Sequence, residues 1–316
     1  MSFSNVILDW QLILNKTYEK CIKDKTNITK EHNAHYIPYL NNVNPKLFSI
    51  SVCTVHGEIY NVGDYTHEFA IESVSKLFTL ALALKKYGAA QVKSKIGDNP
   101  IHQSFNSVNE IIQNKGTLNS LHNGGALATA SIVYTRNDTR ASFEKKVFEN
   151  MNAFAGRKLK MSQQVFKSEY EKCDHNRAIA YLLRSYGKFY VADADVEDVL
   201  NVYTRQCSAL VTSEDIAVMA ATLANNGTNP VTRERILGKK NVNYIINQMI
   251  IAGLYNDSIQ WNTTIGIPAK SGVGGILLLV IPGLAGIGIC SPPIDKFGTS
   301  IRGKKAAKEL LHLLTF

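Results

Sequence analysis

The 316-residue sequence predicts an α+β protein, in which an antiparallel sheet is flanked by helices and a helical lobe is inserted. Three patterns lead to this prediction. Apolar and small polar residues alternate over 47–63, helical periodicity dominates roughly 85–230, and apolar runs typical of strands return near the C-terminus. We therefore expect a sheet built from both ends of the chain, with the helical lobe between them.

The first part of the chain predicts a helix, a hairpin and a second helix. Residues 1–20 have an apolar face, Asp9 within it and no basic start, which favours an amphipathic helix over a signal peptide. The alternating run over 47–63 turns at His56-Gly57 and predicts a β-hairpin. The run FAIESVSKLFTLALAL over 69–84 has the apolar spacing of a buried helix.

The middle of the chain predicts helices. Helical periodicity is clear in three segments, 168–185, 195–206 and 212–226. Thr212 and Asp215 have the spacing of a capping-box variant, and Gly227 is a suitable stop for the same helix. These segments form part of a mostly helical lobe over roughly 76–229.

The C-terminal part predicts strands and a final helix. No charged residue occurs from Ser271 to Ile294, a span long enough for a membrane helix. Its many glycines and the Pro282-Gly283 pair instead favour two buried strands, 276–281 and 284–290, within the region 265–290. The last helix is predicted over 304–314. We therefore expect no membrane contact, and an α/β lobe over roughly 1–75 and 230–316.

Composition excludes several classes of function. The net charge is +9, but the basic residues are scattered and no aromatic-interleaved basic stripe occurs, so we expect no nucleic-acid partner. The five cysteines are widely spaced and include no CxxC pair, which argues against a metal site and against a disulfide framework. We expect a cytoplasmic protein without a metal or an organic cofactor.

Two residues at the head of the second helix predict catalysis. Ser73 and Lys76 are three positions apart, so on a helix they lie on one face. A buried lysine with a lowered pKa can take the proton from a serine nucleophile, although a serine cap beside a solvated lysine is an alternative. Penicillin-recognising enzymes combine this motif with a Lys-Thr/Ser-Gly triplet, and this chain has Lys270-Ser271-Gly272. The pair of motifs favours catalysis.

The rest of the chain extends this pattern in a definite order. The segments that carry it are AHYIPYL, GDYTHEFAIESVSKLFTL, GDNPIHQSFNS, NSLHNGGALATASI, SEYEKCDHNRAIAYLL, VYTRQCSAL, SEDIAVMAATLANNGTNP, GLYND, GIPAKSGVGGI and ICSPPIDKFGTSIRG. Over about 36–303 the chain resembles the serine-dependent bacterial-type glutaminases, which are L-glutamine amidohydrolases with the β-lactamase/transpeptidase-like fold. The resemblance implies a single catalytic unit over 1–316 that hydrolyses L-glutamine to L-glutamate and ammonia.

The resemblance also implies roles for individual residues. Ser73 would be the nucleophile that forms a γ-glutamyl ester, Lys76 its base, and Tyr255 a proton relay to the leaving amine. The backbone N–H groups of Ser73 and Val273 would form the oxyanion hole. The substrate-binding residues that it implies are Tyr36, Ser73, Asn123, Glu169, Asn176, Tyr203, Tyr255 and Val273, with Glu169 accepting the substrate ammonium.

Most of these binding residues have an ordinary structural alternative. Taken singly, Glu169 is a solvated acid in a first helical turn, Asn123 a turn residue, Asn176 a cap and Tyr203 a core tyrosine. Only their order along the chain favours binding. The resemblance further implies a homodimer or a homotetramer.

The sequence departs from the family pattern at two places that matter. Glu72 stands where the family commonly has glutamine, and an added carboxylate could raise the pKa of Lys76 and weaken it as a base. The loop over 119–126 lacks the family's proline and gains a glycine, which predicts a looser placement of Asn123.

Two alternative functions stay open. A penicillin-recognising serine hydrolase of the same fold shares the motifs of Ser73 and Lys270, but no Ser-Asp-Asn triplet and no export signal are found. A non-catalytic glutamine-binding relative would keep the pocket alone, against which stand the intact Ser73, Lys76 and Tyr255.

Overall fold

The structure is a computed structural model that describes residues 8–23, 32–101, 103–192 and 195–314. Within these residues the helices are α1 (Trp10–Lys23), α2 (Pro38–Asn41), α3 (Lys76–Ile96), α4 (Val108–Asn114), α5 (Asn123–Val133), α6 (Arg140–Ala155), α7 (Gln163–Tyr170), α8 (Asp174–Ser185), α9 (Val196–Cys207), α10 (Ser213–Ala224), α11 (Lys239–Ala252), α12 (Ser258–Thr264) and α13 (Ile301–Leu314). The strands are β1 (Ser49–Thr54), β2 (Ile59–Gly63), β3 (Phe69–Ala70), β4 (Lys160–Met161), β5 (Ala209–Val211), β6 (Ala269–Gly272), β7 (Ile276–Ile281) and β8 (Ala285–Cys290).

The main sheet joins the two ends of the chain, as predicted. Its five strands lie in the order β2-β1-β8-β7-β6, and every neighbouring pair is antiparallel. β1 pairs with β8 from Ser49 opposite Cys290 to Thr54 opposite Ala285. The N-terminal hairpin therefore extends the C-terminal strands into one sheet.

Helices cover both faces of this sheet. α1 and α13 pack together on one face, where Leu14, Ile287 and Leu310 belong to one buried apolar cluster. α10 lies on the other face against β8 and β1. It lies so close that a Cβ atom at Gly286 would be 2.0 Å from the backbone nitrogen of Ala221. Only glycine allows this approach.

The helical part has its own core. α3, α5, α6 and α9 pack around buried apolar side chains that include Leu80, Leu127, Met151 and Val199. A small antiparallel sheet has the strand order β3-β5-β4. β3 leads directly into the turn that carries Ser73.

Several predicted elements are confirmed. The hairpin is formed by β1 and β2, and the predicted strands over 276–281 and 284–290 agree with β7 and β8 to within a residue. The capping box of α10 is present, because Thr212 Oγ1 accepts from the Asp215 N–H at 3.1 Å and Asp215 Oδ2 accepts from the Thr212 N–H at 2.7 Å. Residues 1–7 of the predicted first helix lie outside the described residues.

Three predictions about elements were wrong. The helix expected over 69–84 begins only at Lys76, because Phe69–Ala70 pair with β5 as strand β3 and a 3₁₀ turn follows. The single helix expected over 168–185 is two helices, α7 and α8, separated by a turn at 171–173. A third strand, β6, precedes the two strands expected over 265–290, and it carries Lys270 and Ser271. None of the described helices combines the length and the apolar character needed to cross a bilayer.

Candidate active site

Ser73 lies in a strained turn at the entrance to α3. The turn is a 3₁₀ helix over Glu72–Ser75, and Lys76 is the first residue of α3. Glu72 has a φ of +49°, in the left-handed region that residues other than glycine rarely adopt. Strain of this kind is often concentrated at functional sites. The turn brings Ser73 to the wall of a pocket while Lys76 is buried beneath it.

Lys76 is held in a polar cage inside an apolar core. Its Nζ donates to Asn123 Oδ1 at 2.7 Å, to the Leu121 carbonyl at 3.0 Å and to Tyr255 Oη at 3.5 Å. Burial lowers the pKa of Lys76 from 10.5 to about 8, although Cys207, Glu169 and Glu72 oppose the shift. Glu72 thus acts in the direction that the sequence suggested, but burial outweighs it.

Tyr255 lies between two lysines. Its Oη is 3.5 Å from Lys76 Nζ and 3.2 Å from Lys270 Nζ. Burial raises the pKa of Tyr255, so it is a neutral phenol, and a hydrogen bond with the Ser73 side chain partly offsets that rise. Its backbone φ of +54° is a second strained position of the site. Ser73, Tyr255 and Lys76 therefore form a continuous hydrogen-bonded path.

Lys270 is a site residue to which the sequence assigned no role. It is fully buried on β6, and its Nζ also donates to the Ser271 carbonyl at 2.7 Å. Burial, and then the nearby charge of Lys76, lower the pKa of Lys270 well below its usual value. The Lys-Ser-Gly triplet was the sequence signal for Lys270, but only the fold shows that the Lys270 side chain reaches Tyr255.

The segment after β6 packs tightly against the turn of Ser73. A Cβ atom at Gly272 would be 2.7 Å from the Ile71 carbonyl oxygen, and one at Gly274 would be 2.4 Å from the Ala70 carbonyl oxygen. The glycines therefore allow Val273 to lie beside Ser73 in the pocket wall. Among the hydrogen bonds of the described residues, none is donated by the Val273 N–H, which leaves it available for an oxyanion.

The pocket above Ser73 is small and polar on one side. Its cavity volume is about 190 Å³, which suits a molecule of amino-acid size. The predicted site residues that line it are Tyr36, Ser73, Asn123, Glu169, Asn176, Tyr203 and Val273. Tyr255 lies below this lining, in contact with Lys76 and Lys270.

The two asparagines of the pocket are hydrogen-bonded to each other, and one of them to Lys76. Asn123 begins α5 and Asn176 lies in α8, and Asn123 Nδ2 donates to Asn176 Oδ1 at 3.0 Å. Because Asn123 Oδ1 already accepts from Lys76, one amide hydrogen of Asn123 and the amide nitrogen of Asn176 remain for a ligand.

The tyrosines of the pocket occupy different depths. Tyr203 is 2% exposed, and burial raises its pKa, so it presents a neutral hydroxyl. Tyr36 lies at the mouth with 49% of its surface exposed, although the burial of its hydroxyl and the nearby charge of Glu72 raise its pKa.

Glu72 and Glu169 form a pair of carboxylates on the pocket wall. Together with Cys207 they offer three ligand atoms within 4.8 Å of one another, a set that suits a cation. Burial, followed by the mutual repulsion of the two charges, raises the pKa of Glu72 well above its usual value. Burial likewise raises the pKa of Glu169. The sequence flagged Glu72 only as a departure and missed Cys207.

The loop before Asn123 is held by hydrogen bonds instead of proline. Asn119 Oδ1 accepts from the N–H groups of Leu121 at 3.0 Å and His122 at 3.1 Å, and the Ser120 N–H donates to Gln248 Oε1 at 3.1 Å. These bonds offset the looser placement expected from the missing proline. His122, which the sequence also missed, is a neutral ring against Tyr255, since burial and the lysine charges lower its pKa to about 3.

Comparison with known proteins gives consistent similarities. The family model described as Glutaminase matches residues 32–316. A protein named Glutaminase from Colwellia psychrerythraea is 44% identical over 314 residues, which cover 97% of each chain. A Glutaminase from Mycobacterium ulcerans is 41% identical over 309 residues, covering 96% of this chain and 94% of that protein.

Solved structures agree with the sequence comparison. The structure of the probable glutaminase ybaS is 38% identical, with a TM-score of 0.91 over 97% of this chain and 96% of that one. The structure of Mglu in its glutamate form is 34% identical, with a TM-score of 0.90 over 98% of this chain and 70% of that one.

Proposed function

This chain belongs to the glutaminase family, and we propose that it hydrolyses L-glutamine through an ester on Ser73, with Tyr255 and Lys76 carrying the proton. The reaction converts L-glutamine and water to L-glutamate and ammonia. The fold is the β-lactamase/transpeptidase-like fold of the family. The two lobes act as one catalytic unit in this proposal. No step requires a metal or an organic cofactor.

The first half of the reaction transfers the γ-glutamyl group to the enzyme. Ser73 Oγ attacks the side-chain carbonyl carbon, and its proton passes through the Tyr255 hydroxyl to neutral Lys76. The carbon–nitrogen bond then breaks, and the same proton returns along this path to the leaving nitrogen, which departs as ammonia. The second half repeats the steps with water as the nucleophile and splits the ester to glutamate.

The two lysines have different parts in this proposal. Lys76 is the base, since it contacts Tyr255 and its pKa of about 8 gives a useful neutral fraction near neutral pH. Lys270 holds Tyr255 from the other side at 3.2 Å and positions the relay. A developing negative charge on the substrate oxygen is stabilised by the N–H groups of Ser73 and Val273.

The pocket recognises both charged groups of a free amino acid. Glu169 accepts hydrogen bonds from the substrate ammonium, while Asn123, Asn176, Tyr203 and Tyr36 provide neutral groups for the carboxylate. An unpaired buried charge is costly, so a peptide-bound glutamine that lacks both charges should be rejected. The Mglu structure in its glutamate form is a relative with this type of ligand.

One observation carries the mechanism. A serine, a neutral tyrosine and two fully buried lysines meet at the floor of a pocket whose wall carries buried carboxylate oxygens. Two buried lysines destabilise a core that has only a structural role, because each loses its hydration on burial. A penicillin-recognising hydrolase shares the floor, but it has no need of the paired carboxylates that suit an ammonium group.

The test is ammonia release from L-glutamine by the purified chain. We expect glutamine-dependent ammonia that disappears in Ser73→Ala, and little ammonia from L-asparagine, whose amide is one carbon shorter. A chromogenic cephalosporin is assayed beside it. Turnover of the cephalosporin without turnover of glutamine would favour the penicillin-recognising alternative. Glutamine binding without ammonia release by a folded wild-type chain would favour the non-catalytic alternative.

Location and assembly are also part of the proposal. A reducing compartment such as the cytoplasm is supported by the cysteines, since all five are buried and none of these described residues forms a disulfide. Association into a homodimer or a homotetramer rests on the resemblance to the family. Light scattering on the purified chain measures that state directly.

A further inference from the structure

Glu72 is a buried carboxylate without an obvious structural partner. It is 2% exposed, and its Oε1 makes no hydrogen bond within the described chain. Glu169, nearly a hundred positions away, also has a buried oxygen, Oε2, without a hydrogen bond. The two side chains line the same pocket, and their nearest ligand atoms lie within 4.8 Å. Two buried carboxylates this close need a positive charge or a shared proton.

Among the described residues no cation forms an ion pair with either carboxylate, although the charge of Lys76 acts on both from a greater distance. The hydrogen bonds of Lys76 Nζ go to Asn123, Leu121 and Tyr255, and neither carboxylate forms an ion pair with a described residue. The position of Glu72 is nevertheless well defined. Its Cγ would be 3.5 Å from a Cβ atom at Gly274, so the side chain occupies the space which that glycine leaves.

We propose that Glu72 is a second carboxylate ligand of the substrate's α-ammonium group, which binds between Glu72 and Glu169. The inference rests on the proposed function and adds a specificity-determining residue to it. An ammonium group has three N–H donors and can therefore satisfy both unpartnered oxygens at once. Charge-assisted bonds to two carboxylates distinguish a free amino acid from an amide that lacks the α-amine.

Binding of an ammonium group between the two carboxylates should release a proton from the pocket. In the empty pocket the pair holds a proton, because burial and repulsion raise the pKa of Glu72. An arriving ammonium replaces that proton, which leaves to solvent, and both carboxylates become ionised. The titratable groups that face Glu72 in the empty pocket are Glu169, Lys76, Cys207, Tyr36, Tyr203 and Tyr255. Glu169, with a raised pKa, and Lys76, with a pKa of about 8, also titrate near neutral pH, but both are present in the parent and in a variant at position 72.

The experiment compares Glu72→Gln with its parent in a Ser73→Ala background, where glutamine binds without being hydrolysed. Glutamine has the same shape as glutamate but cannot hold or release the proton. Titration calorimetry at pH 7.5 in two buffers of different ionisation enthalpy counts the protons released when L-glutamine binds. We expect about one proton more from the parent than from the variant.

The pH dependence of affinity is an independent readout. The ratio of glutamine Kd in the variant to Kd in the parent should rise between pH 6 and 8.5, by up to about tenfold per pH unit, because the parent releases one more proton. A role for Glu72 in packing alone predicts a ratio that does not depend on pH. Equal proton counts together with a constant ratio would overturn the inference.

Two further controls separate the possible failures. Glu72→Asp keeps the charge, so it should retain proton release. Glu72→Asn, which lacks the acid and tolerates the positive φ of this position, replaces Glu72→Gln if circular dichroism shows that the latter does not fold. Turnover by the chain with Ser73 intact is measured in parallel. A chain that neither binds nor hydrolyses glutamine contradicts the proposed function itself. A chain that hydrolyses it with a pH-independent variant-to-parent KM ratio contradicts only the role of Glu72.

Discussion

The pH dependence of kcat tests whether buried Lys76 is the base. Its pKa of about 8 means that about 1% of it is neutral at pH 6 and about half at pH 8. If neutral Lys76 starts the reaction, kcat at saturating glutamine should rise about 50-fold between these two values. Above pH 9 it should rise less than about twofold further. Ammonia release followed across pH 6–10 measures this curve.

A solvated lysine would behave differently. With a pKa of about 10.4, kcat would keep rising about tenfold per pH unit through pH 9. That outcome, or a flat profile from pH 6 to 9, would refute the view that burial activates Lys76. His122 does not interfere, because its pKa of about 3 lies outside this window.

The same burial makes Lys76 a cost to stability. Below pH 8 both the folded and the unfolded chain hold the lysine proton, and the shift from 10.5 to about 8 corresponds to about 3 kcal/mol of destabilisation. Lys76→Met should therefore be inactive yet more stable at pH 7 by up to this amount. As pH rises from 8 to 10.5 the unfolded chain binds more protons than the folded one, so the wild type gains stability and the difference shrinks. Urea denaturation measures this difference in the free energy of unfolding. Lys308→Met, at an exposed position, is the control whose stability should not change.

Three further changes test the site and its support. Tyr255→Phe removes the hydroxyl between the two lysines and should lower kcat by about 10²–10⁴-fold with little change in Tm; an unchanged kcat would exclude a relay. Gly274→Ala brings a Cβ atom to 2.4 Å from the Ala70 carbonyl oxygen, so it should lower the free energy of unfolding by about 1–3 kcal/mol and reduce kcat. The control Gly116→Ala meets only a lysine side chain at 3.4 Å and should leave both quantities unchanged. Equal kcat values in the two variants would contradict the close approach at Val273. Thr212→Ala removes the cap of α10 and should cost about 1 kcal/mol in urea denaturation, while Thr212→Ser should be near neutral; equal losses would contradict the cap.

Local patterns were sufficient for many elements of this fold. The hairpin of β1 and β2, the strands β7 and β8 and the cap of α10 depend on interactions between residues close in sequence. Such interactions leave a pattern in the sequence itself, either an alternation of apolar and polar residues or a cap residue at the start of a helix. The order of the family motifs likewise predicted the reaction and seven of the residues that line the pocket.

The break between α7 and α8 is a case in which local patterns fail. No glycine or proline occurs over 168–185, and the apolar spacing continues across the turn at 171–173. The turn redirects α8 so that Asn176 meets Asn123 of α5 at 3.0 Å. Periodicity cannot detect a turn whose reason is a contact with a distant helix.

The sequence by itself determined most of the elements and the family, and it was sufficient to propose Ser73 as the nucleophile. Only the tertiary structure decided how Lys270 of β6 and Tyr255 meet Lys76 of α3, and how Glu72 meets Glu169 of α7. The physical reason is that desolvation and charge repulsion depend on distances across the fold. A sequence records which charges exist, whereas packing decides which of them are buried together and so which pKa values are shifted.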